Sequence, residues 1–192
     1  MTNAREIALV SVFADGPGGG NPAPVVVDAA GLADADMRAI AARYGHESVF
    51  VTPPPDRSGC DFTFRFFVPN HEMEMCGHAT VGAVWLLQQL GRLPGDQLRI
   101  ATLSGVVEAR VTPAGIEISQ PKGRLDPLPD GAIAEILAVL GIDEAALAPQ
   151  AVWNACTSRV KTLIPLNSVT ILDELKPDFA RMEGLCERIG ST

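Results

Sequence analysis

The feature that most constrains the fold is an apolar run that leaves a helix without a polar face. Between Ala79 and Leu87 the only clearly polar side chain is that of Thr80. Every side of a helix here is covered by apolar side chains, namely those of Val81, Ala83, Val84, Trp85, Leu86 and Leu87. A helix that is apolar all round is buried. The sequence therefore predicts a central helix with other elements wrapped around it.

The start of this helix is a candidate binding site. The first N–H groups of a helix have no partner within the helix, and the helix dipole attracts an anion to them. Cys76, Gly77 and His78 stand at this point, so we expect a site for a small carboxylate. The position before a helix favours the thiolate of Cys76, and His78 is suited to orienting a substrate or passing a proton. The alternatives are a buried structural cysteine and a core or capping histidine.

Glu47 and Asn21 are further candidates. Glu47 stands where a loop passes into an apolar segment, and a carboxyl group partly withdrawn from water there could accept and return a proton near neutral pH. The alternative is a surface carboxylate at a strand start. Asn21 follows three glycines that lack the pattern of a phosphate-binding loop. Its amide is suited to hydrogen bonding with a carboxylate or an amine.

Composition excludes several function classes. The net charge of −8 and the lack of a basic stripe argue against nucleic acid or an anionic membrane as partner. No apolar run reaches the ~18–20 residues that a membrane span needs. The four cysteines form no CxxC pair and the three histidines no HxxxH spacing, so we predict no metal site. Without a secretory signal, the expected location is the cytoplasm, where thiols are reduced.

The distribution of predicted elements divides the chain. Residues 1–119 carry about seven predicted strands around the central helix, which is enough for a domain with its own core. Residues 120–129 contain three prolines and a glycine and form the predicted linker. Residues 130–192 carry two predicted helices and one or two strands, which is too little sheet to cover those helices. We therefore expect a second, incomplete domain there.

Four ordered motifs resemble the phenazine-biosynthesis PhzF-like isomerase family, within the diaminopimelate-epimerase-like fold. In chain order they are Asp15 with Gly19-Gly20-Asn21-Pro22; Glu47-Ser48-Val49-Phe50-Val51; Phe67-Val68-Pro69 followed by Cys76-Gly77-His78-Ala79-Thr80; and Lys161 with Leu163-Ile164-Pro165-Leu166 and Lys176-Pro177-Asp178. The resemblance implies an α+β fold, with a curved mixed β-sheet wrapped around a central buried helix. It also implies a second, similar domain and an active site in the cleft between the two.

The resemblance further implies a cofactor-independent proton shift or epimerisation on a small carboxylate-bearing metabolite. Glu47 matches the acid–base residue of the family. Gly77 and His78 match the substrate-binding helix start, and Asn21 matches a substrate-contacting position. A homodimer is compatible with the resemblance, and the motifs do not specify the substrate.

Two other hypotheses stay open. Met75-Cys76-Gly77-His78 also resembles the start of the first central helix in proline racemases and hydroxyproline epimerases, in which the cysteine is a catalytic base. This makes a cysteine-based amino-acid racemase or epimerase the second hypothesis. Family members are longer than this chain, so the resemblance also implies C-terminal truncation. The third hypothesis is an inactive truncated homologue that acts only as an association or structural module.

Overall fold

A computed structural model describes residues 5–191. The chain divides into two compact units, with the boundary between Gln120 and Pro121. The first unit contains all five candidate site residues, and the second contains the remaining helices and a small sheet. Each unit is described below by itself.

The first unit is built on one mixed sheet of eight strands and two helices. The strands are β1 (Ala8–Val12), β2 (Asn21–Val26), β3 (Ser48–Thr52), β4 (Phe62–Phe67), β5 (Glu72–Met73), β6 (Gln97–Thr102), β7 (Gly105–Thr112) and β8 (Gly115–Ile118). The order across the sheet is β1-β2-β3-β4-β6-β7-β8, with β5 paired to β4, and the β2–β3 and β4–β6 pairs are parallel. The helices are α1 (Asp34–Tyr44) and α2 (Gly77–Gln89).

The sheet curls around α2. This helix packs against β1 and β8, which lie at opposite ends of the strand order, and also against β2 and β3. Alternate residues of the strands turn their side chains towards the helix, and Val25, Val49, Phe64 and Phe66 form a core with Ala83 of α2. The α+β fold predicted from the resemblance, with a curved mixed sheet around a central helix, is confirmed in this unit.

One side of α2 departs from the prediction of a helix buried all round. Trp85 is 45% exposed, and Val81 and Gln88 lie on the same side of the helix. These side chains line a cavity of about 550 Å³ bounded by β1, β7 and β8. The apolar pattern identified the helix correctly, but the described sheet leaves a stripe of it uncovered.

Helix α1 covers the opposite face of the sheet. Met37 and Ala41 are buried against Val26, Phe50 and Phe67, so the central strands β2, β3 and β4 are covered on both faces. This explains why β2 and β3 contain runs of consecutive apolar residues rather than strict alternation.

The second unit consists of a three-stranded antiparallel sheet and a helical cluster. The sheet order is β11-β10-β9, with β9 (Arg124–Asp126), β10 (Trp153–Cys156) and β11 (Val160–Leu163). The helices are α3 (Ala132–Leu140), α4 (Val169–Glu174) and α5 (Phe179–Ile189), with a short 3-10 helix at Glu144–Ala146. Helices α3 and α5 pack through Ile136, Val139 and Leu185. Asn154 is buried and donates a hydrogen bond to the Ile189 carbonyl over 2.7 Å.

The first unit has eight strands where about seven were predicted, and four short elements of the chain were missed. Strands β5, β9 and β10 and helix α4 were not predicted, and β9 lies inside residues 120–129, the predicted linker. Within residues 5–191, no helix combines the length and the apolar character needed to cross a membrane.

Candidate active site

The start of α2 is formed by Cys76 and Gly77. Cys76 is the N-cap residue in an extended conformation, and its side chain makes no capping hydrogen bond. Its carbonyl accepts hydrogen bonds from Thr80, over 3.0 Å from the backbone N–H and 2.7 Å from the hydroxyl. A methyl group added at Gly77 would lie 3.6 Å from Gln120 Nε2 and 3.9 Å from Ile118 Cδ1. The helix start therefore lies beside the end of β8.

His78 lies between a thiol and a carboxylate. Its Nδ1 is 3.3 Å from Cys76 Sγ, and its Nε2 is 3.7 Å from Glu47 Oε2. The His78 side chain is only 9% exposed, and Nε2 is buried without a hydrogen-bond partner among the described residues. The distance from Nε2 to Glu47 is longer than a hydrogen bond. The unsatisfied Nε2 can therefore bind a ligand. It can also hydrogen-bond Glu47 after a small shift of the carboxylate.

Glu47 reaches this point because it immediately precedes β3. Two residues later Val49 faces the core around α2, so strand alternation turns Glu47 towards the same side. The neighbouring Ser48 is fully buried and its hydroxyl donates a hydrogen bond to the His46 carbonyl over 3.0 Å. This hydrogen bond fixes the chain where the loop enters the strand. The Glu47 side chain is 38% exposed, so a solute can reach it.

Asn21 lies on the same face of the sheet. It precedes Val25 by four residues, and Val25 pairs with Val49 across the parallel β2–β3 ladder, so alternation places Asn21 and Glu47 on one side. Asn21 itself is exposed. The structure places Asn21 at the same end of the parallel β2–β3 pair as Glu47.

The glycine loop before Asn21 is required by close packing. Gly20 has a φ of +93°, and a Cβ there would lie 2.4 Å from Ser11 Oγ and 2.9 Å from the Val12 carbonyl oxygen. Only glycine fits this conformation and this space. The glycines therefore allow the tight turn that follows β1 and brings β2 back alongside it. This role fits the lack of a phosphate-loop pattern in the sequence.

Three of the five candidates thus form one cluster. One ligand atom each from Glu47, Cys76 and His78 lies within 4.8 Å of the others. The sequence did not indicate this grouping as a set of metal-binding atoms, because Glu47 is distant from the other two along the chain. The other two histidines, His46 and His71, are both exposed. A buried imidazole between a carboxylate and a thiol is suited to moving protons.

Comparisons with known proteins match almost the whole chain. The sequence pattern of the PhzC-PhzF family, described as phenazine biosynthesis-like proteins, matches residues 10–191. A protein of Deinococcus radiodurans named an uncharacterized isomerase is 34% identical over 200 residues, covering 99% of this chain and 62% of that protein. The chain therefore spans less than two thirds of the length of this relative.

Solved structures agree on the fold. A Bacillus anthracis phenazine biosynthesis protein of the PhzF family superposes with a TM-score of 0.77 at 26% identity, covering 96% of this chain and 63% of that one. A hydroxyproline epimerase from Agrobacterium vitis gives a TM-score of 0.55 at 12% identity, covering 90% of this chain and 54% of that one, which is a likeness of fold alone. The resemblance predicted from the four motifs is confirmed, and the chain belongs to the PhzC-PhzF family of phenazine biosynthesis-like proteins.

Proposed function

We propose that the site acts in a cofactor-independent isomerase or epimerase that moves a proton on a small carboxylate-bearing metabolite. The observation that carries the proposal is the 3.7 Å approach of Glu47 Oε2 to His78 Nε2 at the start of the central helix. In this mechanism the Glu47 carboxylate removes a proton from a substrate carbon and returns it at another carbon or on another face. His78 orients the substrate or relays a proton.

The substrate carboxylate would be held at the start of α2. The first N–H groups of the helix, which begins at Gly77, point outward, and the helix dipole favours negative charge there. The Asn21 amide, on the same face of the sheet as Glu47, would hydrogen-bond a polar group of the substrate. The relative named an uncharacterized isomerase and the family match support an isomerase as the general activity to which this binding site would belong.

Acid–base transfer by one positioned group accounts for only about 10²–10⁴-fold in rate. The remainder must come from stabilising the carbanion-like charge that develops beside the carboxylate, and preorganised N–H groups at a helix start are suited to that task. We therefore propose that binding at α2 and proton transfer at Glu47 act together. When Glu47 removes the proton, negative charge develops on the substrate, and the helix start stabilises that charge.

The test is incorporation of solvent deuterium into a panel of small amino acids and other carboxylates, followed by mass spectrometry. We expect the chain to label at least one of them, and Glu47→Gln to abolish that labelling. Glu74→Gln is the matched control, because Glu74 is exposed and lies just before the site, and it should label at the original rate. Labelling that persists in Glu47→Gln would refute the role of Glu47. Absence of label from every carboxylate would argue against catalysis by this chain.

A cysteine-based racemase or epimerase is the second candidate. The observation that favours it is the 3.3 Å distance from Cys76 Sγ to His78 Nδ1, which places a thiol at the helix start beside a proton acceptor. This mechanism predicts that Cys76→Ser abolishes labelling while Glu47→Gln retains part of it. The Glu47 mechanism predicts the reverse, so the two variants discriminate between the candidates.

An association module is the third candidate. Several large apolar side chains of the second unit are exposed, among them Leu163, Val169 and Phe179, and exposed apolar surface promotes self-association. We propose a homodimer as the form to test, by sedimentation equilibrium over a range of concentrations. A monodisperse monomer at every concentration would contradict both the dimer and the association role.

A further inference from the structure

We propose that Glu47, Cys76 and His78 form a three-ligand site for a zinc-type divalent cation. Thiolate, imidazole and carboxylate are the three side-chain groups that bind Zn²⁺ in proteins. Each residue offers one ligand atom, and the three atoms lie within 4.8 Å of one another. Binding of the ion is independent of the proposed isomerase function, since it needs neither substrate nor proton transfer to carbon.

A second observation points to a ligand at the same place. The His78 side chain is more than nine-tenths buried, and its Nε2 has no hydrogen-bond partner among residues 5–191. Leaving a buried polar atom unsatisfied is unfavourable, so such an atom usually has a partner in the functional state. This atom faces Glu47 across 3.7 Å, which is too long for a hydrogen bond and leaves the imidazole poised for a cation.

The ligand atoms must draw together when the ion binds. Bond lengths of about 2.0–2.3 Å in a tetrahedral zinc site place the ligand atoms roughly 3.3–3.6 Å apart. A zinc ion binds His78 through one ring nitrogen; the unpartnered Nε2 is 3.7 Å from Glu47 Oε2, and with one ligand atom from each residue the three lie within 4.8 Å of one another. Ligand atoms at that limit would have to approach by about 1 Å. Cys76 and His78 are fixed by the helix start, whereas the partly exposed Glu47 side chain has room to adjust. The carboxylate is therefore the ligand expected to move.

Three protein ligands leave the fourth position of a tetrahedral ion open. Such sites hold a water molecule or a small anion there, and the outward-pointing N–H groups of α2 favour an anion at this place. On binding, the Zn–S bond forms as the Cys76 thiol releases its proton to solvent, with no change of oxidation state. If the proposed function holds, the bound ion occupies Glu47 and His78 and inhibits proton transfer.

The probe is cobalt(II), added to the 192-residue chain without substrate under reducing conditions. A tetrahedral site with one thiolate gives intense visible bands and an ultraviolet sulfur-to-cobalt charge-transfer band. We expect saturation at one equivalent and loss of both signals when one equivalent of Zn²⁺ is added. Cys76→Ser should lose the charge-transfer band. Loss of a residue that only hydrogen-bonds a metal ligand weakens metal binding about 10–100-fold. Glu47 is itself a proposed ligand, so Glu47→Gln should weaken cobalt binding by at least that factor.

Matched controls separate this site from other thiols and imidazoles. Cys60→Ser, Cys186→Ser and His71→Asn should bind cobalt as the unaltered chain does, because these residues lie outside the cluster. If Cys76→Ser fails to fold, as judged by circular dichroism, His78→Asn and Glu47→Gln carry the test through the loss of affinity. A charge-transfer band that survives in Cys76→Ser, vanishes in Cys60→Ser or never forms would overturn the proposal. None of these outcomes depends on isomerase activity.

Discussion

The guanidinium of Arg65 holds the carboxylate of Glu72 by two parallel hydrogen bonds, of 2.8 Å from Nε and 2.5 Å from Nη2. Arg65 lies on β4 and Glu72 on β5, the short strand that leads to Cys76. The third arm of the guanidinium reaches Asp34 at the start of α1 over 2.9 Å. These contacts raise the pKa of Arg65, with the Glu72 hydrogen bond as the largest cause. One side chain therefore fixes the segment before the candidate site.

The Arg65–Glu72 pair should contribute measurably to stability. The two side chains are only 28% and 18% exposed, so Arg65→Met leaves a largely buried carboxylate without its cation. We expect the free energy of unfolding to fall by about 2 kcal/mol, measured by urea denaturation. Arg110→Met is the control, because the Arg110–Glu117 pair is more than half exposed and is worth at most about 1 kcal/mol. Equal losses in the two variants would contradict the argument.

Close packing between α2 and β1 should make Gly82 intolerant of a side chain. A Cβ at Gly82 would lie 3.0 Å from Val12 Cγ2 and 3.6 Å from Val10 Cγ1, and β-branched valines adjust little. Gly82→Ala gains about 0.5–1 kcal/mol of helix propensity but overpacks at a cost of about 1–3 kcal/mol. The expected net result is a loss of about 1 kcal/mol in the free energy of unfolding.

The control for this variant is Gly184→Ala in α5. A Cβ there meets only Arg188 Nη1, at 3.7 Å, which is ordinary contact with a flexible side chain. We expect this variant to gain up to about 1 kcal/mol from helix propensity alone. The measurement is the free energy of unfolding of both variants in denaturant. A stabilising effect of Gly82→Ala would contradict the argument, because it would show that β1 moves away from α2 to make room for the added methyl group.

A pH-dependent ion pair should join the segment after α2 to the segment after β2. Arg92 donates hydrogen bonds of 2.9 and 2.7 Å to the two carboxylate oxygens of Asp28, and this lowers the pKa of Asp28. The pair is largely exposed, at 41% and 69%, so its coupling should not exceed about 1 kcal/mol. Because the folded-state pKa is depressed, the contribution is present above the unfolded pKa of about 3.9. It is lost as pH falls through the folded value.

The measurement is a double-mutant cycle with Asp28→Asn, Arg92→Met and the combined variant, at about pH 6.5 and about pH 2.5. The coupling should appear at the higher pH and be smaller at the lower one, where Asp28 becomes protonated. Addition of about 1 M salt at the higher pH should weaken it, since exposed charges are screened. A coupling that is unchanged at low pH would show that the contact is not ionic.

The sequence alone determined the central helix and most strand positions, and it predicted the residues of the candidate site. The apolar run after His78 indicated α2, and the predicted strands of residues 1–119 indicated a sheet around it. These signals are local, because helix periodicity, strand alternation and glycine conformations are written in neighbouring residues. The ordered motifs also identified the family, which the match over residues 10–191 confirms.

Only the tertiary structure decided the contact of Glu47 with His78. Their 3.7 Å approach depends on the register of β3 in the sheet and on the depth at which α2 enters it, and neither is visible in local sequence. Strands β5 and β9 were missed for the same reason, because two or three residues become a strand only when a partner offers its backbone. The exposed side of α2 at Trp85 is likewise a property of the sheet's curvature. Local pattern specifies which elements form, whereas packing over long range determines which side chains meet.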